Sequence, residues 1–476
     1  MVIEKVKETS KLMLKKILLF GLLIAFANTF AQHTVTGKMT PKNKHSWVIL
    51  YRLDGVKQKY VDNASADKGN FSVKDGTFSV KIPKGAATGM YRLLYDNKKN
   101  LFIDFIYNNE DVAVEFHPEH PVELVKYTKS VENKTFQNYM YKASTLQNTL
   151  DSIQVVYFQT KDKAQEKALQ KLYTKELQKL KATQNASETE SKGKIASIFI
   201  TANKRFYANN LIKDTKEYLN TIKSHYFDNV DFNNPVLLKS SLLIDRVMDF
   251  VFYLNTSNDS ETLVKLRKEG IVTALSKISN VDLKKDVIES LLYTFAQQED
   301  IVMADYILKN QFTKLPISLQ DYEFKAMVLD LLKTTVGVKA PDIVWEDKGT
   351  HKNLYSLKGK KYYLVVFWST TCSHCLKEMP LLQKYLEDKP NIQVVAVALE
   401  NKQSKIKWID EKYYYEEFVH VLALSTTEDS VYRSKYVKDY GVNSTPNFFL
   451  LNSDKTIIAK PYDVKELKEI YPKLDK

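Results

Sequence analysis

The sequence predicts a multidomain chain: an N-terminal antiparallel β domain, an all-α middle region and a C-terminal α/β domain. Three observations carry this. Residues 33–127 run in short alternating strands separated by turn residues. From about 131 to 335 the apolar positions move to helical spacing. Beyond residue 336, short apolar strands alternate with helical segments. The length, 476 residues, suits two to four domains. A hydrophobic fraction of 44% with 13 Gly and 12 Pro describes packed cores rather than a disordered chain.

Residues 1–31 read as an export signal. Lys15-Lys16 precede an apolar run at 17–27, and small residues lead to Ala31 and Gln32. That run is short for a membrane span of about 20 residues, so cleavage near Ala31-Gln32 is favoured over a retained anchor. Glu4 and Glu8 are unusual ahead of such a signal, which leaves Met1 and Met13 as alternative starts. The expected location is the periplasm, with membrane association as the alternative.

In the β domain, 32–130, residues 71–82 place Asp75-Gly76 between two alternating arms, a hairpin pattern. Further strands are expected at 47–53, 90–95, 101–107 and 112–116, which suits a small sandwich or barrel. His117 and His120 flank Pro118. With no further ligands clustered in sequence they read as an exposed loop, and no metal is expected.

In the helical region, 131–335, Leu169, Leu172, Tyr173, Leu177 and Leu180 form one apolar stripe. Asn234-Pro235 reads as a cap and first-turn proline before a helix at 236–254. Helices at 261–277, 283–298 and 301–311 follow, and 181–194 is expected to be a loop. No GxGxxG and no phosphate loop occurs, so no cofactor is expected. The formal charge is +13, but lysines are interleaved with Glu and Asp. That is a solvated surface rather than a nucleic-acid site.

The final domain, 336–476, should carry strands at 362–368, 393–398, 419–424, 447–451 and 456–459. Helices should follow Cys372, cover 404–414 and 431–440, and end the chain after Val464. This order implies a mixed sheet with helices on both faces. Cys372 and Cys375 are the only cysteines in the chain. They stand at a strand-to-helix turn, where unpaired N–H groups favour a thiolate on the first, and the second is one turn on, within reach of a mixed disulfide. A zinc site would need four ligands, which two cysteines and scattered histidines do not supply.

This domain resembles the exported thioredoxin-like family often called TlpA- or ResA-like. The matching residues are Gly337-Val338-Lys339-Ala340-Pro341-Asp342, Leu357-Lys358-Gly359-Lys360, Phe367-Trp368, Cys372-Ser373-His374-Cys375 and Lys377-Glu378-Met379-Pro380. Tyr440-Gly441-Val442, Ser444-Thr445-Pro446 and Phe448-Phe449-Leu450-Leu451-Asn452 complete it. The resemblance implies a thioredoxin fold with Cys372 as nucleophile and Cys375 as resolving thiol. It implies a cis Thr445-Pro446 bond facing the cysteines, with Trp368, Thr445 and Pro446 at the substrate, and a helix kinked at Pro380. Glu378 matches an acidic residue placed to accept the resolving thiol's proton. Thioredoxins carry a buried Asp six before the first cysteine; Val366 stands there. A peroxidase of the related peroxiredoxin family would want proline at Trp368. His374 lies between the thiols as in oxidising catalysts of this fold. An imidazolium there raises the potential, whose range on this fold is about −270 to −120 mV.

The implied function is thiol–disulfide exchange with exported cysteine-containing proteins, as a reductant fed by a membrane electron donor of the thiol–disulfide type. Apocytochrome c in haem attachment is one substrate of such proteins. The alternative is a binding or scaffold protein of the cell envelope in which this domain is accessory. Exported proteins of Bacteroidota with an N-terminal β domain and helical middle resemble the whole chain, through Gly89-Met90-Tyr91-Arg92-Leu93 and Asp111-Val112-Ala113-Val114-Glu115.

Overall fold

The computed structural model describes residues 32–42, 45–65, 73, 75–347 and 349–474. The expected export signal, the two candidate starts and most of the first hairpin arm, 71–74, lie outside these residues. The chain has an N-terminal β-rich region, a helical middle and a C-terminal domain of thioredoxin type. It divides into two compact units, one ending at Val287 and the other starting at Ile288.

The first unit opens with eight strands: β1 (His33–Met39), β2 (Trp47–Asp54), β3 (Lys57–Ser65), β4 (Thr77–Ile82), β5 (Gly89–Asp96), β6 (Leu101–Tyr107), β7 (Val112–His117) and β8 (His120–Lys129). They form two four-stranded sheets, β4-β1-β7-β8 and β3-β2-β5-β6. All pairings are antiparallel except β1 with β7. Inward side chains of both sheets share one core, including Val35, Val80 and Val114 from one and Leu50, Leu93 and Phe105 from the other. Asp75 and Gly76, at φ 55° and 78°, make the tight turn into β4. His117 and His120 flank a two-residue turn of the β7–β8 hairpin, their rings 5.0 Å apart.

Two long helices follow, α1 (Val131–Gln159) and α2 (Lys163–Glu190), capped by Ser130 and Asp162. Tyr173, Leu177 and Leu180 are buried against Tyr139, Leu150 and Ile153. Leu172 falls off the stripe and is exposed. The loop expected at 181–194 is helix as far as Glu190. Two of its polar residues serve tertiary partners. Gln184 accepts from Tyr139 Oη at 2.7 Å, and Glu188 pairs with Lys204 at 2.9 Å. The unit continues through α3 (Ala196–Ala202), α4 (Thr215–Ser224), α5 (Leu242–Asp249) and α6 (Ser260–Ser276). Asn234 caps as expected, accepting from Val236 and Leu237 N–H. The single helix at 236–254 is broken, however, because Ser240 is extended and its hydroxyl bonds the Leu237 carbonyl at 2.6 Å.

Helix α7 (Val281–Gln297) contains the division between the units. The second unit then carries α8 (Ile301–Asn310), α9 (Tyr322–Leu332) and a hairpin of β9 (Val344–Asp347) and β10 (Thr350–Asn353). Its centre is a five-stranded sheet built from β11 (Tyr362–Trp368), β12 (Ile392–Glu400), β13 (Val419–Leu424), β14 (Asn447–Asn452) and β15 (Ile457–Ala459). The order is β13-β12-β11-β14-β15, with β11, β12 and β13 parallel and the other pairings antiparallel. Every residue of β11 is buried. Tyr362, Leu364, Val366 and Trp368 enter one core, while Tyr363, Val365 and Phe367 enter the other. That is why the strand reads as an unbroken apolar run. Helices α10 (Cys375–Leu386), α11 (Ser404–Glu411) and α13 (Val464–Leu474) cover the first face, and α12 (Lys435–Tyr440) covers the second.

Candidate active site

The end of β11 delivers the chain into the turn 369–374, and α10 begins at Cys375. Cys372 N–H donates to Ser369 O at 3.2 Å, and Leu376 N–H to Cys372 O at 3.1 Å. The first thiol is thereby placed over the amides that open the helix. Cys375 N–H donates to Cys372 Sγ at 3.2 Å, and the His374 N–H also faces that sulfur. Cys372 Sγ in turn lies 3.3 Å from Thr445 O. Both cysteines are free thiols.

Their surroundings differ sharply. Cys372 is half-buried, and Cys375 is wholly buried. Partial burial works against the Cys372 thiolate, but hydrogen bonds from the Cys375 thiol, Thr445 and two backbone amides outweigh it and hold its pKa below the ordinary thiol value. Burial, followed by the hydrogen bond with Cys372, pushes Cys375 up to about 12. At neutral pH the pair therefore presents one thiolate-prone sulfur to solvent and one protonated sulfur behind it.

The other expected residues are distributed unevenly around this pair. The Thr445-Pro446 bond is cis, and Thr445 sits against Cys372. His374 is half-exposed, with its Nε2 3.6 Å from Glu378 Oε1. Glu378 Oε2 accepts from Val464 N–H at 2.9 Å, which fastens α10 to the start of α13. Pro380 lies inside α10, where its missing N–H leaves the Leu376 carbonyl without the usual helical partner. Trp368 is a correction. Expected at the substrate, it has no exposed surface and packs edge-on against Tyr415, with ring centroids 6.0 Å apart. Strand alternation sends it to the same core as Val366, so its side chain is not on the substrate face.

One residue went unread in the sequence. Glu400, the last residue of β12, has no exposed surface, and its Oε1 accepts from Thr370 N–H at 2.7 Å. Its only trace in the sequence is a charge closing the apolar run 394–399.

A model of the AhpC/TSA family matches residues 336–460. The thiol-disulfide oxidoreductase ResA of Bacillus thuringiensis (strain Al Hakam) is 28% identical over 142 residues, which is 29% of this chain and 75% of that protein. ResA of Bacillus thuringiensis subsp. konkukian (strain 97-27) is 30% identical over 148 residues, 30% of this chain and 79% of that protein. The chain belongs to the thioredoxin-like thiol-disulfide oxidoreductases. Among solved structures, the thioredoxin domain of a Bacteroides vulgatus thiol-disulfide oxidoreductase is 28% identical, covering 30% of this chain and 98% of that one with a TM-score of 0.25. Among the described residues of this oxidoreductase, no helix is long and apolar enough to cross a membrane.

Proposed function

We propose that this oxidoreductase works on exported, cysteine-containing proteins and acts as their reductant. The observation that carries the reading is the asymmetry of the two thiols, one accessible and thiolate-prone, the other buried and protonated. That arrangement suits ordered exchange. The Cys372 thiolate attacks one sulfur of a substrate disulfide; a new S–S bond forms, the old one breaks, and the departing thiolate takes a proton. Cys375 then gives up its proton and attacks Cys372 Sγ. The substrate leaves as a dithiol, the protein keeps the disulfide, and two electrons have passed to the substrate. A thiol–disulfide electron donor at the membrane restores the dithiol. The half-buried Thr445 and Pro446 beside Cys372 form the surface on which the substrate segment rests, and Glu378 takes part in moving the resolving proton. The export pattern at 1–31 supports a periplasmic site of action, and apocytochrome c is among the substrates this chemistry serves.

Capture tests the reading. Cys375→Ser should accumulate mixed disulfides with exported partners, and Cys372→Ser should not. The reverse pattern would exchange the two roles. Equilibration with glutathione decides direction: a potential near −270 mV supports a donor, and one near about −120 mV makes the protein an oxidant.

A second reading, an envelope binding protein with an accessory redox domain, is favoured by one observation: the family match takes in only residues 336–460.

A further inference from the structure

The buried carboxylate of Glu400 is placed where the two cysteines share a single backbone neighbour. Ser369 O accepts from Cys372 N–H at 3.2 Å, and Ser369 N–H faces Cys375 Sγ. The hydroxyl of the same residue lies 3.5 Å from Glu400 Oε2. The next residue is held at both its N–H and its carbonyl. Thr370 N–H donates to Glu400 Oε1 at 2.7 Å, and Thr370 O accepts from Lys407 Nζ at 3.0 Å. A wholly buried carboxylate costs several kcal/mol in desolvation unless hydrogen bonds compensate. Here those bonds come from the active-site turn and from Ser404, while burial still raises the carboxyl pKa.

We infer that Glu400 is a positioning residue for the dithiol, holding Ser369 and Thr370 so that the Ser369 backbone meets both sulfurs, and setting a negative charge one residue away from them. The inference rests on the dithiol-exchange reading. The groups that meet this carboxylate are Ser369, Thr370 and the uncharged Ser404 on the following helix, with Lys407 on the Thr370 carbonyl; the two thiols are reached through the Ser369 backbone. From the β13 side, Ser425 N–H meets the Glu400 carbonyl at 2.7 Å and brings no charge. A carboxylate so placed disfavours a thiolate on either cysteine, and so opposes the reduced, ionised state.

The test uses the full protein and three readouts: its equilibrium constant with glutathione, the pH profile of Cys372 alkylation, and the melting temperature. Glu400→Gln keeps the size and an acceptor for Thr370 N–H but removes the charge. It should move the equilibrium at least threefold toward the dithiol and shift the alkylation profile to lower pH. Ser369→Ala keeps the carboxylate and cuts its hydroxyl link, and should move the equilibrium measurably without abolishing exchange. A lowered melting temperature with equilibrium and profile unchanged would reduce Glu400 to a brace for the turn and overturn the inference. Should Glu400→Gln not fold, an unchanged Ser369→Ala overturns it equally. A native protein that does not exchange with glutathione would sink the dithiol reading and this inference together.

Discussion

Cys372 reaches solvent and collects hydrogen bonds, while three positions on Cys375 is sealed in the core. Iodoacetamide should therefore modify Cys372 with a midpoint below the ordinary thiol value, and leave Cys375 of a Cys372→Ser protein untouched through neutral pH. Comparable rates at the two sites would contradict the assignment. The raised Cys375 pKa also sets a pH dependence for the reduced fold. A thiol held protonated by the fold stabilises it fully below the unfolded thiol pKa of about 8.5, and that contribution is lost as pH climbs toward about 12. Denaturant melts should show this alkaline loss in the dithiol form and not in the disulfide form. The pair was legible because the sequence holds no other cysteine. Trp368 was misread although strand parity with Leu364 and Val366 pointed inward. Glu400 was not legible as a site residue, since no local rule links it to a turn 30 positions earlier.

At the scale of elements, α10 and α13 share a core through Met379, Leu382 and Leu467, and a hydrogen bond from Val464 N–H to Glu378 ties the start of α13 to α10. Glu378→Ala should cost about 1 kcal/mol in a denaturant melt, because a helix-start N–H loses its acceptor. Glu378→Gln should keep that stability and slow the release of the mixed disulfide if the carboxylate moves the resolving proton. Equal exchange rates for Gln and wild type would leave Glu378 as a cap alone. Apolar strands were easy to read: β11, buried along its whole length, and β13, at the sheet edge, match their expected limits residue for residue. The strands that escaped are polar on their outer faces. β8 exposes most of its length, and β3, Lys57–Ser65, mixes Lys, Gln, Asp and Asn among few apolar residues. Helix α2 ran on through a polar stretch because Gln184 and Glu188 serve tertiary partners, which composition does not reveal.

Across the whole molecule, the order of β, helical and α/β regions was plain from changes of period. The division at Val287 was not, because α7 runs unbroken through it. A chain starting at Val281 keeps that helix whole, and its insulin-reductase activity against that of the full protein separates the two readings of residues 32–280. Matching activity would make the leading regions a device for holding partners; a deficit of tenfold or more would give them a share in exchange. The paired thiols also bear on how the protein meets an oxidant. Peroxide should reach Cys372 first and convert it to a sulfenic acid, and Cys375, already hydrogen-bonded to that sulfur, can condense with it and expel water. The product is the disulfide of the proposed exchange cycle, which the proposed electron donor reduces. In Cys375→Ser the same treatment should drive Cys372 on to sulfinic and sulfonic acids, visible by mass. A chain with no other cysteine thus meets oxidative damage as one more turnover.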